Sequence, residues 1–147
     1  MTMFRAIDTS ASGLTAERLR MDVISNNIAN VNTTRTEDGG PFRRQLPVFQ
    51  SRKPLGRWPF LDMKAPHQIG TGVRVAAILE DQAPFKLEYD PSHPDADADG
   101  YVRHPNINIV HEMVDMITAT RAYEANVTCI NSAKDMINAA LNIGGRR

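Results

Sequence analysis

The sequence predicts a mainly α-helical fold with a small β insert, in which long N- and C-terminal helices pair as a coiled coil. All nine prolines of the 147-residue chain lie between Pro41 and Pro105, and a proline inside a helix costs about 3 kcal/mol. Both proline-free ends repeat apolar residues at steps of three and four, as one stripe of a helix does. The middle instead alternates apolar with polar residues, which is typical of strands.

The N-terminal segment, residues 1–34, is predicted to be a helix followed by an Asn- and Thr-rich cap. Such a helix is about 40 Å long at 1.5 Å per residue. The cap ends it because Asn and Thr side chains hydrogen-bond to nearby backbone. The apolar seam, which skips Arg18, consists of Ile7, Leu14, Met21, Ile24 and Ile28.

The central segment, residues 35–105, is predicted to be a short antiparallel β-rich insert. Alternation over 85–89 favours a half-buried strand. Val73 and Val75 favour a second strand that begins after Gly72. A third strand is predicted at 46–49, where Pro47 confines it to a sheet edge.

The C-terminal segment, residues 106–147, is predicted to be the second helix of the coiled coil, about 50 Å long. Asn108 is the expected N-cap, and the helix is expected to stop at Gly144 and Gly145. The seam is interrupted at Thr120 and Lys134, and it consists of Ile109, Met113, Met116, Tyr123, Val127, Ile130, Ile137 and Leu141.

The composition argues against several classes of protein. The chain has 17 basic and 17 acidic residues, whereas a nucleic-acid binder carries a basic excess or a basic face. Cys129 is the single cysteine, which excludes an intramolecular disulfide. No apolar run reaches the roughly 18 residues of a membrane span. Asp8 stands where a signal peptide has its apolar region, so we expect no cleaved signal.

The zero net charge hides two oppositely charged stretches. Residues 32–60 hold six basic and two acidic side chains, and residues 76–105 hold seven acidic and two basic ones. These stretches are either ordinary solvated surface or complementary patches that neighbouring copies or partners use.

No pattern of catalytic residues is found. The chain has no phosphate loop, no nucleophile elbow, no C-x-x-C and no H-E-x-x-H. Its four histidines are scattered, at His67, His93, His104 and His111. Cys129 has no base that the sequence nominates as its partner. We therefore expect no enzyme, no cofactor and no metal site.

One acidic stretch partly matches a calcium-binding loop. Residues 95–100 match the first six positions of an EF-hand loop, but the twelfth position is Asn106 instead of a bidentate glutamate. Pro94 and Pro105 also stand where flanking helices are needed. An exposed acidic loop without calcium is expected.

Two motifs at the ends resemble a known family. The stretch SNNIANVNTT over 25–34, with Asn27, Ile28, Ala29, Asn30 and Thr33, resembles the N-terminal signature of bacterial flagellar rod, hook and hook-associated axial proteins. The stretch 108–117, continuing into 121–126, resembles their C-terminal signature. Within the family, 39–45, with Arg43, Arg44 and Gln45, and 100–108 are similar to motifs of the short proximal rod subunits.

The resemblance implies a structural subunit of the proximal rod of the flagellar basal body. Such subunits assemble helically into the drive shaft used in motility. The implied partners are further copies of the chain, other rod proteins, the base of the rod near the membrane-embedded ring, and the type III export apparatus. The implied location is the periplasmic rod, reached from the cytoplasm without a cleaved signal peptide.

Two other functions compete with this hypothesis. The first is a soluble coiled-coil adaptor or export chaperone of the flagellar secretion system, which uses the same stripes but has little need for a β insert. The second is a small hydrolase, which the missing nucleophile–base pair disfavours.

Overall fold

The computed structural model describes residues 2–37, 39–52 and 71–144. In chain order the elements are helix α1 (Thr2–Ala29), strands β1 (Gln45–Ser51), β2 (Val73–Glu80), β3 (Lys86–Tyr89) and β4 (Tyr101–His104), and helix α2 (Ile109–Gly144). The prediction of a mainly helical chain with a small β insert is confirmed. Gly145 and His67 lie outside the described residues.

Helix α1 ends within the Asn- and Thr-rich run, at Ala29. The Asn30 side chain donates hydrogen bonds to the backbone oxygen and to the side-chain oxygen of Asn26, both at 3.0 Å. The Thr33 hydroxyl donates to Asn30 Oδ1 at 3.1 Å. These local bonds compete with a further helical turn, so the chain leaves the helix axis after Ala29.

Helix α2 begins as predicted after Asn108. The Asn108 Oδ1 accepts hydrogen bonds from the backbone N–H groups of Val110, at 3.0 Å, and His111, at 3.4 Å. A side-chain oxygen thus satisfies two of the backbone donors that a helix start leaves without partners.

The two helices pack against each other in antiparallel directions. Asn27, near the end of α1, is hydrogen-bonded to Glu112, near the start of α2. Two turns earlier in α1, the Met21 sulfur accepts a bond from the Thr120 hydroxyl at 3.6 Å. Gly13 then lies so close to Asn126 that an added Cβ would stand 2.9 Å from Nδ2.

Strands β1 and β2 form a two-stranded antiparallel sheet that packs along α1. The pairing runs from Gln45 opposite Glu80 to Ser51 opposite Val73, with a bulge at 48–49. Pro47 fits because, among the described residues, β2 is the one strand paired with β1. At the far end, Val73 N–H donates to the Ser12 hydroxyl oxygen at 3.0 Å.

Strands β3 and β4 form the second antiparallel sheet. The Tyr89 and Tyr101 rings pack edge to face with centroids 5.3 Å apart. The expectation of a half-buried strand over 85–89 was wrong in two respects. The strand begins one residue after Phe85, and all four of its residues are exposed. The face that carries Leu87 and Tyr89 is exposed, whereas the buried Val102 of β4 lies opposite Glu88 on the other face.

Candidate assembly site

The end of α1, the start of β1 and the start of α2 meet in a polar junction. At its centre are Asn27 and Glu112, whose exposed fractions are both 1%. The Asn27 side chain donates to the backbone oxygen of Gln45 and accepts from its N–H, both at 2.9 Å. The amide therefore pairs with β1 as a neighbouring strand would. The same Nδ2 also donates to Glu112 Oε2 at 3.1 Å.

Arg44 brings positive charge to the buried Glu112 carboxylate. Its Nε donates to Glu112 Oε1 at 2.6 Å, and its Nη2 lies 3.5 Å from Asp115 Oδ2. Asp115 also accepts from Arg20 on α1 at 3.2 Å. A buried carboxylate is tolerated only when it is paired and hydrogen-bonded. Here an arginine from the insert and an amide from α1 supply both requirements.

The chain around Arg44 is fixed by further bonds to the insert. Arg44 N–H donates to Asn106 Oδ1 at 3.1 Å, and Asn106 Nδ2 donates to the backbone oxygen of Asp81 at 3.4 Å. The Arg43 guanidinium lies 4.3 Å from the centroid of the Phe85 ring, within cation–π range. The β insert is therefore attached to both helices by directional contacts.

The residues of the N-terminal motif have different environments. Asn27 is buried, and Ile28, Asn30 and Thr33 are half-buried, whereas Ala29 is exposed. Within the insert motif, Arg43, Arg44 and Gln45 are all half-buried. The junction thus brings Asn27, Arg44 and Gln45 together.

On α1, Ile24 of the predicted seam is buried, and Ile7, Leu14, Met21 and Ile28 are half-buried. On α2, five predicted seam residues are half-buried: Met116, Tyr123, Val127, Ile130 and Ile137. The other three, Ile109, Met113 and Leu141, are exposed. The predicted seam of α2 was traced through large apolar residues, and it is therefore interrupted at Thr120 and Lys134. The buried alanines Ala119 and Ala133 come one residue earlier than these two polar residues.

Sequence reasoning missed four contributors to the junction and its surroundings. None of Glu112, Asp115, Asp81 and Asn106 was assigned a structural role from the sequence. One signal was available for Glu112, because steps of four and three from it reach Met116 and Ala119. A carboxylate in the register of a helix contact face needs a buried partner.

The acidic loop at 95–100 is built by contacts within the chain. Asp95 accepts from the Thr34 hydroxyl at 2.8 Å and lies 4.0 Å from Arg35. Asp97 pairs with Arg103 at 3.3 Å. Over the described ranges, no group of three or more metal-ligating side chains is found. The same ranges hold no helix with the length and apolar character needed to cross a membrane.

Charges of the basic and acidic stretches also meet inside one molecule. Arg44 lies 4.0 Å from Asp81, as Arg35 does from Asp95. These two charge pairs therefore form between segments of the same chain.

Comparison with known proteins decides the family. The family model described as "Flagella basal body rod protein" matches residues 7–35, and the model "Flagellar basal body rod FlgEFG protein C-terminal" matches residues 98–143. The chain is 56% identical to the flagellar basal-body rod protein FlgC of Borreliella burgdorferi, over 97% of this chain and 98% of that protein. The chain belongs to the FlgC family of flagellar basal-body rod proteins.

More distant members of the family give the same result. FlgC of Bacillus subtilis is 45% identical, and FlgC of Salmonella typhimurium is 39% identical, each over 98% of this chain and 99% of the relative. The protein is a structural subunit of the proximal rod of the flagellar basal body and not an enzyme. Neither the adaptor nor the hydrolase fits this family.

Proposed function

We propose that the chain enters the rod as an antiparallel coiled-coil pair, formed by residues 1–34 and 106–147, which carries residues 35–105 as an insert of fixed orientation. The burial pattern of α2 supports this pairing. Glu112, Met116, Ala119, Tyr123, Asn126, Ile130, Ala133 and Ile137 are all buried or half-buried, and they follow each other at alternating steps of four and three. That spacing is the heptad of a left-handed helix pair.

Neighbouring subunits of a helical assembly then cover the apolar side of α2 that the pair leaves in contact with solvent. One observation carries this part of the proposal. Five large apolar residues in the first turns of α2 have exposed fractions between 45% and 69%, namely Ile109, Val110, Met113, Val114 and Ile117. A contiguous apolar surface of this kind marks an interaction site, and head-to-tail contacts that do not close produce filaments.

The proposal extends to location and partners. The chain passes through the type III export apparatus without a cleaved signal peptide and joins the periplasmic rod. There it contacts other copies, other rod proteins and the base of the rod near the membrane-embedded ring. Family membership supports this route.

The test replaces one residue of the exposed apolar surface. Ile117→Asp puts a charge where a neighbour is expected, and burying that charge costs several kcal/mol. Ile117 is 54% exposed, so the free protein should keep its stability within about 0.5 kcal/mol. Detergent-extracted basal bodies from cells with this variant should lack the chain and completed rods.

Thr118→Asp is the matched control, since it adds the same charge at the next residue, about 100° around the helix. Thr118 is exposed, and cells with this variant should swim. Normal swimming and normal basal bodies with Ile117→Asp would refute the proposed role of this surface.

A further inference from the structure

A groove lies between α1 and the β1–β2 sheet, at the end of the sheet away from the polar junction. Its volume is about 520 Å³. Apolar side chains of α1 and β2, including Leu19 and Val75, line it. The groove is also lined by Arg18, Arg52 and Arg74; we call it the basic groove.

The charge of the basic groove is largely uncompensated. Within the described residues, none of the three arginines has a carboxylate within 4.0 Å, although Arg74 Nη2 donates to Gln50 Oε1 at 2.8 Å. Asp22 is the one acidic residue among the described lining residues. All three arginines are exposed. The groove thus offers an apolar floor and a net positive rim.

The complementary surface is on the same chain, in the turn that joins β3 to β4. Residues 90–100 contain four aspartates and neither lysine nor arginine; we call them the acidic turn. Asp95 already has partners in its own molecule, because it accepts a hydrogen bond from the Thr34 hydroxyl and forms an ion pair with Arg35. Asp97 and Asp99 are exposed, and among the described residues Asp99 has no hydrogen-bond or ion-pair partner.

The acidic turn does not reach the basic groove of its own chain. The bond from Thr34 to Asp95 holds the turn beyond the C-terminal end of α1. The groove lies beside Ser12 to Asp22, and from Asp22 to the end of α1 at Ala29 the helix rises a further ~10 Å. Among the described residues, neither β3 nor β4 contacts α1, β1 or β2, so the two surfaces lie apart in one subunit and meet only between copies.

We propose that the acidic turn of one copy docks in the basic groove of the next copy, so that subunits join head to tail through their inserts. This inference rests on the proposed helical assembly and adds a contact to it that lies outside the helices. The occupant is a second copy because the chain carries both surfaces and has no net charge. Complementary charges of this kind fix register and partner choice more than they add affinity.

Charge reversal tests the contact. Neither the Arg52 nor the Asp99 side chain has a hydrogen bond or an ion pair within the described part of the chain, so replacing either one should leave the monomer intact. Arg52→Glu and Asp99→Lys should each lower the number of completed rods by about tenfold, the cost of one like-charge contact of about 1.4 kcal/mol. The double variant, with both charges exchanged, should restore rods. The proposed contact would be overturned if the single variants formed a normal number of rods, or if the double variant formed fewer rods than either single variant.

A disulfide trap identifies the partner. In a Cys129→Ser background, Thr15→Cys in the groove and Ala98→Cys in the turn are combined in one chain, and basal bodies are oxidised before non-reducing electrophoresis. Both positions are exposed. Dimers and larger multiples of this chain are expected, and neither single cysteine should give a ladder. A band with a different protein, or a cross-link inside one chain, would overturn the inference.

The two proposals fail in distinguishable ways. Basal bodies that contain the doubly substituted chain but show no cross-linked multiples overturn the insert contact alone. Basal bodies that lack the unaltered chain overturn the proposed assembly and the contact together.

Discussion

The Glu112 carboxylate gives the sharpest test of how the insert is joined to the helices. Glu112→Ala removes the acceptor of a 2.6 Å bond from Arg44 and of a 3.1 Å bond from Asn27. A hydrogen bond to a charged group is worth about 1.5–3 kcal/mol. Breaking a buried ion pair from one side costs about 3–5 kcal/mol. Arg44 remains 22% exposed and keeps Asp115, so we expect a loss of about 3 kcal/mol in the free energy of unfolding.

Urea unfolding followed by far-ultraviolet circular dichroism measures this loss. Glu124→Ala is the control because Glu124 is exposed on the same helix, and it should change stability by less than about 0.5 kcal/mol. The double variant Arg44→Met with Glu112→Leu should cost less than either Arg44→Met or Glu112→Ala, since neither charge is left buried alone. A Glu112→Ala protein as stable as the control, or costs that simply add in the double variant, would refute the reasoning.

Two further predictions concern the helix contact and the acidic turn. Gly13→Leu should destabilise the protein by about 1–3 kcal/mol in urea unfolding because its side chain meets Asn126, and Asn126→Ala should recover part of the loss; equal stability of Gly13→Leu and the unaltered protein would contradict this close approach. Hydrogen bonds from the Ser92 hydroxyl and Ser92 N–H lower the pKa of Asp90, so any stability they add is present above the ordinary pKa of aspartate and is lost as pH falls through the lowered value. Ser92→Ala should raise the pKa of Asp90 in an NMR titration, and an unchanged titration would contradict the assignment.

The architecture was predictable because it depends on local signals. The confinement of prolines to 41–105 identified both helices, and Asn108 located the start of α2 because an N-cap acts on residues within one turn. Strand β4 was missed, since in Tyr101–His104 two apolar residues are followed by two polar ones, which leaves no alternation to detect. The buried side of α2 was predicted only in part, because the search for a periodic pattern relied on large apolar residues and passed over alanines. At Ala119 and Ala133 the small side chain is what lets the helices approach.

The polar junction was not predictable from spacing. Arg44 and Glu112 are 68 positions apart, and Asn27 and Glu112 are 85 positions apart. Each residue alone has an ordinary local explanation: a helix cap, a basic strand start or a favourable charge at a helix N-terminus. Only the tertiary structure shows that the three side chains are partners.

The polar contacts of the junction suit an insert whose orientation relative to the helices matters more than the stability that it adds. An apolar contact between the insert and the helices would be non-directional, so the insert would have several positions of similar energy. The Asn27 amide instead pairs with both the N–H and the C=O of Gln45, which a shift of β1 by one residue would break. Because that shift would also separate Arg44 from Glu112, leaving a carboxylate buried without its cation, alternative registers are costly. The junction thereby fixes where the basic groove and the acidic turn stand relative to the helix pair, and a head-to-tail contact through the inserts requires that fixed placement.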